Sequence, residues 1–516
     1  MMDKYIVPMS RQTKRAMLYT LVFLLIMHGF RFVSLGFSHD ALAFAAPTDF
    51  AWKVSLGRYM QPLYWKLRGY VAAPYLVGLM TWLWLGISVV LVLRMTRVTG
   101  NLATLLIAGV MVSSQAIISA NTGFIHETDT FMLALLLAVG AAYLCLNTRW
   151  VWLAAGPLML AASAGLYQSF IQAYVALVMI VSLLDLLRGE RLLPVALRCA
   201  KCVLALGVGM ALYLVGYRLA LAVTGIGASD SYNSLTQAGD YGGATFMQML
   251  KETYVQPFGF LRALQSRNAA VVRLAQACVL LLALGATAAV MIKKRLRPLE
   301  TAAVLVILLL LPLGINCIFL IYRGSYHELM IYSYCLVNVY AVAVTEQALP
   351  LLCPEGAGTA RLPVRRCAAM ALPLLLTLIF FDKTVFANQL YLKKELEFDS
   401  TLSVMTRVLD RLEQTEGYVT GETPVAFAGY VNASAVNGER PAFAYTKRLT
   451  GAEWNYATTF TDTYWMYMRD VLGYPIVQAE NEEDIARQEA VAVMPCFPEK
   501  GSVALVDGVA VVKLSD

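Results

Sequence analysis

Charge is scarce in this chain: Asp, Glu, Lys and Arg make up 15% of its 516 residues, against about 25% in soluble domains. Together with the apolar content described below, that excludes an ordinary water-soluble enzyme, a coiled coil and a disordered chain. The excess of 41 Lys+Arg over 34 Asp+Glu gives a net charge of +7, too small to call for a nucleic-acid partner. There is no P-loop and no G-x-G-x-x-G on a strand-to-helix turn, so no motif asks for a nucleotide-binding fold. Nor do the nine cysteines make a disulfide framework. Cys145, Cys278, Cys317 and Cys335 lie inside apolar blocks, and Cys496 stands alone in the polar C-terminal part. Cys199-x-x-Cys202 sits between basic residues at the start of an apolar block without a second pair, which fits packing better than zinc or redox chemistry. Internal repeats and low-complexity stretches are also missing.

What the chain has is apolar sequence. The AVILMFWYC set makes up 59% of it, and mean hydropathy is +0.62. The surplus falls in nearly uncharged blocks of about 18–22 residues, long enough at about 1.5 Å per residue to cross a hydrocarbon core of roughly 30 Å. Spans are expected at 16–33, 72–93, 101–119, 130–147, 150–166, 169–187, 202–223, 271–292, 301–321, 328–347 and 368–385, about eleven in all. The ten-residue alternating segments of a membrane barrel are not seen. The fold class is therefore an all-α polytopic membrane protein with a small C-terminal α/β domain. The membrane part is expected over 1–386, with outer loops at 34–71 and 224–270, and the α/β domain over 387–516.

Cations recur at the N-terminus and in every second connection, from Arg94 and Arg97 to Arg361, Arg365 and Arg366. This alternation puts the N-terminus in the cytoplasm and the C-terminal domain outside. A cleaved signal peptide ending near Ala43-Phe44-Ala45 is the rival reading, disfavoured by the length of the apolar stretch. In the tail, Leu402, Met405, Val408, Leu409 and Leu412 recur at helical spacing. Pro424–Tyr430, Ala490–Met494 and Ser502–Leu514 read as strands, with Asp507-Gly508 as a hairpin turn.

Acids at the outer ends of spans are costly to desolvate and mark water-filled cavities or substrate paths. Asp40, just past the first span, is the first candidate: a carboxylate there takes the proton from an incoming hydroxyl. The plainer reading is a solvated or helix-capping residue. Glu127 and Asp129, in His126-Glu127-Thr128-Asp129, are placed to bind a divalent cation or orient a sugar hydroxyl, or equally to sit favourably at a helix N-terminus. Metal use stays open, and no other cofactor is called for. Arg58, Arg68, Lys251, Arg262 and Arg323 are outer-side cations that run against the positive-inside pattern, with His327 beside Arg323. Guanidinium groups there suit a phosphate at the membrane surface, with headgroup contact or pairing with Asp49 and Glu252 as the alternative; Lys53 is a further cation of the first outer loop. Tyr167 and Gln168 lie at the outer join of two spans and offer hydrogen bonds to a sugar. In the tail, Trp454, Tyr456, Tyr464, Trp465 and Tyr467 suit a core better than a glycan surface. A carboxylate base, further acids and phosphate contacts in one pocket open to lipid would meet the needs of sugar transfer from a polyprenyl-phosphate carrier.

Leu56-Gly57-Arg58 followed by Pro62, the Gly165-Leu166-Tyr167-Gln168 junction, the acids before the fourth span, and the run from Met494-Pro495 to Lys513-Leu514 resemble the type-II Gtr glucosyltransferases that decorate bacterial O-antigen. The resemblance implies a GT-C-type integral membrane glycosyltransferase of the bacterial inner membrane. It implies transfer of glucose, with inversion, from undecaprenyl-phosphate-glucose to a lipid-linked O-antigen on the periplasmic side. Asp40 matches the first-loop acid of such enzymes, and Gly57 and Arg58 match their Gly-Arg motif. Where they often carry paired acids, His39 precedes a single Asp40, which leaves open whether Glu127 or Asp129 supplies the second. A flippase for lipid-linked sugars is the alternative, predicting acids and helix breaks near mid-span; a non-catalytic membrane anchor for the tail is a third reading.

Overall fold

The structure is a computed structural model, and it describes residues 9–43, 51–147, 154–230, 239–262, 269–321, 327–352, 362–431, 446, 449, 451–454, 456–459 and 461–516. The chain opens with α1 (Arg11–Val33), where Ser10 Oγ accepts from the Thr13 N–H at 3.1 Å and satisfies a first-turn donor. Three short helices follow, α2 (His39–Leu42), α3 (Ala51–Ser55) and α4 (Met60–Arg68). The next long helix, α5 (Pro74–Thr96), begins on a proline, whose missing N–H costs nothing at that position. Then α6 (Asn101–Val112) and α7 (Gln115–Gly123) meet at a 41° bend over Ser113 and Ser114.

A single 3-10 turn, Ile125–Glu127, leads into α8 (Thr128–Asn147). After it come α9 (Ala155–Leu166), α10 (Ile171–Arg188), α11 (Leu192–Thr224), α12 (Phe246–Arg262), α13 (Ala269–Lys294), α14 (Pro298–Ile315), α15 (Cys335–Leu352) and α16 (Leu362–Glu413). The bundle is built on α5 against α8, α8 against α9, α9 against α11, and α1 against α5 and α6; α13 packs on α15 and α16.

Among the described residues nine helices are long and apolar enough to cross a membrane, ten if the bent α6–α7 pair is one span. In the 150–166 block the described residues form the 12-residue α9, about 18 Å, too short to cross alone. The block expected to run to 321 stops as an α-helix at Ile315, with Pro312 in its last turn, and continues as a 3-10 turn over Cys317–Leu320.

Three of the basic residues assigned inward by sequence, Arg97, Arg188 and Arg198, meet at one end of the bundle. Asp185 takes Arg97 at 3.5 Å, Arg188 at 2.8 Å and Arg198 at 2.9 Å, and Glu190 takes Arg97 at 3.2 Å and Arg198 at 2.5 Å. The opposite end holds α2, α3 and α4. There, Leu63 and Leu67 face outward while Gln61 and Trp65 are buried, as expected of a helix lying at a lipid interface.

The last helix, α16, is 52 residues long, about 78 Å, and runs through positions 386–387 without a break into the C-terminal part. There it meets β1 (Pro424–Ala428), α17 (Thr461–Met466), β2 (Val477–Gln478), α18 (Glu482–Ala486), α19 (Glu489–Ala492), β3 (Val503–Val506) and β4 (Val509–Lys513). The sheet order is β2-β1-β4-β3, with β1 parallel to both neighbours and β3–β4 antiparallel. Strand alternation divides its two faces. Val425, Phe427, Ala510 and Val512 share a core with Met405, Val408 and Leu412 of α16, while Ala426, Ala428 and Val511 pack with Ile485 and Val491.

Asp507 and Gly508 both have positive φ and pair Val506 with Val509, as the hairpin reading requires. Ala490–Met494 is not a strand: Glu489–Ala492 closes as a helical turn, with the N–H groups of Val491 and Ala492 bonded to the Gln488 carbonyl. An apolar run that short carries no period to separate the two states.

Candidate active site

Helix α4 presents Gln61, Tyr64, Trp65 and Arg68 at spacing i, i+3, i+4, i+7, one face of a helix. That face docks on the head of α8. Tyr64 donates to Asp129 Oδ2 at 2.9 Å, Trp65 Nε1 to Thr130 Oγ1 at 2.9 Å, and Gln61 Nε2 to Glu127 Oε2 at 3.4 Å. Arg68 Nη1 reaches both Asp129 Oδ1, at 2.5 Å, and the His126 carbonyl, at 2.9 Å. From α3, Lys53 Nζ pairs with Glu127 Oε1. Lys53, Glu127 and Asp129 are all buried. The two acids expected as catalytic candidates thus each have a cation partner, and through those pairs they fasten α3 and α4 to α8.

Between α3 and α4 the chain turns at Gly57, with φ +81°, a left-handed conformation that favours glycine. The turn is clasped from behind. Gln168 Nε2 donates to the Leu56 carbonyl at 3.1 Å, Tyr213 to the Gly57 carbonyl at 3.2 Å and Tyr217 to the Ser55 carbonyl at 2.7 Å. The next residue, Arg58, is thereby aimed at Tyr167, its Cζ 4.9 Å from the ring centroid. Tyr167 is itself held against Phe131 and Phe170, at centroid distances of 4.7 and 5.9 Å. Arg58 Nε is buried and has no hydrogen-bond partner among the described residues.

Electrostatics ties the remaining groups to this place. Burial and the positive charge of Arg58 push His327 down to about 4, so its imidazole is neutral at ordinary pH; its Nδ1 is likewise buried without a hydrogen-bond partner among the described residues. Lys53 is lowered, first by burial, against the pull of Glu127; Arg58 lowers it further and Asp40 opposes. Asp40 and Arg58 thus both act electrostatically on the Lys53 ammonium group, with opposite sign. Asp40 lies in the first turn of α2, its side chain 42% exposed, with His39 Nε2 at 3.3 Å. Arg323 lies outside the described residues. No group of three or more His, Cys, Asp or Glu is arranged to hold a metal ion among the described residues.

A largely apolar cavity of about 510 Å³ opens among α12 to α16 and the bend between α6 and α7, lined by Tyr254, Phe258, Leu280, Leu305, Ile331 and Tyr334 among others. One segment runs from the polar groups to it: His327, within reach of the Arg58 charge, is followed by Ile331 and Tyr334 in the cavity wall.

A family model described as glucosyl transferase GtrII matches residues 29–345, more than half of the chain. The protein belongs to the GtrII family. It is a membrane glucosyltransferase, in agreement with the family resemblance read from its sequence. Neither a curated protein nor a solved structure matches it. The GtrII match takes in Asp40, Arg58, Glu127, Asp129, Tyr167, Gln168 and His327. Sequence reasoning noted Lys53 and Arg68 as loop cations without pairing them with Glu127 and Asp129, and it passed over Tyr213 and Tyr217. The signal for the two tyrosines is their i, i+4 spacing on α11, which puts both hydroxyls on the Gly57 turn.

Proposed function

We propose that this GtrII protein transfers glucose from undecaprenyl-phosphate-glucose to a lipid-linked O-antigen or another surface glycan, at the periplasmic face of the bacterial inner membrane. The observation that carries the donor assignment is Arg58. It is a guanidinium placed over Tyr167 with a buried Nε–H that has no partner among the described residues, and a charge in that state gains from an anion. The apolar cavity suits a prenyl chain and supports a lipid-borne phosphate over a soluble nucleotide sugar. The basic end of the bundle supports the orientation.

In this reading an acceptor hydroxyl attacks the anomeric carbon from the face opposite the phosphate, and its proton passes to the Asp40 carboxylate. The bond from that carbon to the phosphate oxygen breaks, and its electron pair leaves with the phosphate, whose growing charge Arg58 stabilises. The new glycosidic bond has inverted configuration. Neutral His327 offers a hydrogen bond to the donor, Tyr167 and Gln168 hold the Arg58 turn, and Glu127 and Asp129 act through Lys53 and Arg68 as positioning residues.

The test is made in membrane vesicles supplied with radiolabelled undecaprenyl-phosphate-glucose and O-polysaccharide. Label appearing in the polysaccharide supports the proposal. Label crossing the bilayer as intact donor, with none in polysaccharide, would instead support a flippase.

A further inference from the structure

The tail domain lies wholly beyond the GtrII match, yet one of its side chains meets the residue that precedes the proposed base. Of the five clustered tail aromatics, Tyr456, Tyr464, Trp465 and Tyr467 are buried and account for the core expected from their spacing. Trp454 is different. It is 41% exposed, and its ring meets the His39 ring edge-on, with centroids 6.3 Å apart. His39 in turn touches Asp40 at 3.3 Å.

The segment before Trp454 is anchored at several points. Gly451, at φ +87°, lies so close to Gly123 that an added Cβ would come within 2.5 Å of its Cα. The buried Lys393 of α16 donates to the Ala452 carbonyl, and the Gly451 N–H donates to Glu453 Oε2 at 2.8 Å. The loop carrying Asp40 is fixed to the same helix: the Gly36 N–H donates to Glu395 Oε2 at 3.0 Å, and Gly36 abuts the Lys394 and Glu395 backbone. A part-exposed indole against His39, one residue from a half-exposed carboxylate, presents a flat apolar surface on the side from which an acceptor hydroxyl can reach Asp40.

We propose that Trp454 is the acceptor platform, an aromatic face on which the apolar side of the acceptor sugar ring stacks so that a hydroxyl is directed to Asp40. This rests on the transferase reading above and gives the C-terminal domain its part in it: the tail completes the acceptor side, while Arg58 and the membrane cavity serve the donor. Stacking depends on a flat ring rather than on bulk, so the informative variants are Trp454→Phe and Trp454→Leu. Initial rates are measured with undecaprenyl-phosphate-glucose as donor and lipid-linked O-polysaccharide from the source bacterium as acceptor, each varied in turn.

Trp454→Phe is expected to stay within about threefold of the parent in acceptor KM, and Trp454→Leu to raise it roughly tenfold, the equivalent of about 1.4 kcal/mol. Donor KM should move less than twofold in both. Equal acceptor KM values for Phe, Leu and the parent would overturn the proposal, as would a fall in kcat with donor and acceptor KM shifted alike, the pattern of a structural role. A parent protein that transfers no glucose would overturn the transferase reading and this inference with it. Transfer with acceptor KM indifferent to Trp454 would overturn this inference alone.

Discussion

Lys53 and Glu127, 74 residues apart in the chain, form an ion pair in which both side chains are almost wholly buried. A pair of that kind contributes little net stability over an apolar replacement, but removing one member strands a charge at a cost of about 3–5 kcal/mol. Lys53→Met and Glu127→Leu should therefore each lower the unfolding temperature of the purified protein in detergent. The double variant should lie closer to the parent than either single one. Thermal unfolding of the four proteins checks this, and additive losses would contradict it.

Gly57→Ala should be more damaging than the loss of one hydrogen atom suggests. The residue has φ +81°, which costs a non-glycine about 1–2 kcal/mol, and its Cβ would come 2.4 Å from the Tyr213 hydroxyl and 3.1 Å from Gln168 Nε2. A displaced turn moves Arg58, so activity is expected to fall about tenfold or more. Tyr213→Phe removes the nearer clash, and combined with Gly57→Ala it should recover part of the loss. Activity of the three variants decides it.

Much of this architecture is legible in the sequence, for identifiable reasons. Apolar blocks such as 72–93 and 169–187 became α5 and α10 because a membrane helix satisfies its own backbone and needs only length and apolarity to be recognised. Asp507-Gly508 specified its hairpin through the φ values its residues accept. Other features depended on partners far along the chain. The outer cations Lys53 and Arg68 were visible, as were Glu127 and Asp129, but nothing in composition or spacing couples position 53 to 127 or 68 to 129. The exposure of Trp454, against the burial of Trp465, also follows from tertiary packing alone.

His327 makes acid sensitivity testable. In the unfolded chain it protonates near 6.5, whereas burial and Arg58 hold the folded residue at about 4. Between those values the unfolded state binds more protons, so stability attributable to this group is complete above about pH 6.5 and declines as pH falls towards 4. Unfolding temperature measured across that range should drop less steeply for His327→Gln than for the parent. Identical slopes would contradict the assignment.

Arg58 should discriminate between charge and shape. Arg58→Ala removes the proposed phosphate contact and is expected to lower kcat/KM for the lipid-phosphate donor by about 100-fold, the scale of losing one stabilising donor to a developing anion. Arg58→Lys keeps the charge but loses the planar fork and its stacking on Tyr167, and should fall between Ala and the parent. Donor-dependence curves for the three proteins check the order, and an Arg58→Ala variant with the parent's donor kinetics would remove Arg58 from the site.

The central claim is that Asp40 acts as the base beside a gripped lipid phosphate, and the most direct measurement is the transfer rate of purified Asp40→Asn with undecaprenyl-phosphate-glucose and O-polysaccharide. Asparagine keeps the shape and cannot take the proton. The account predicts a fall in kcat of about 100-fold or more with the unfolding temperature and donor KM close to those of the parent. A kcat equal to the parent's would contradict it.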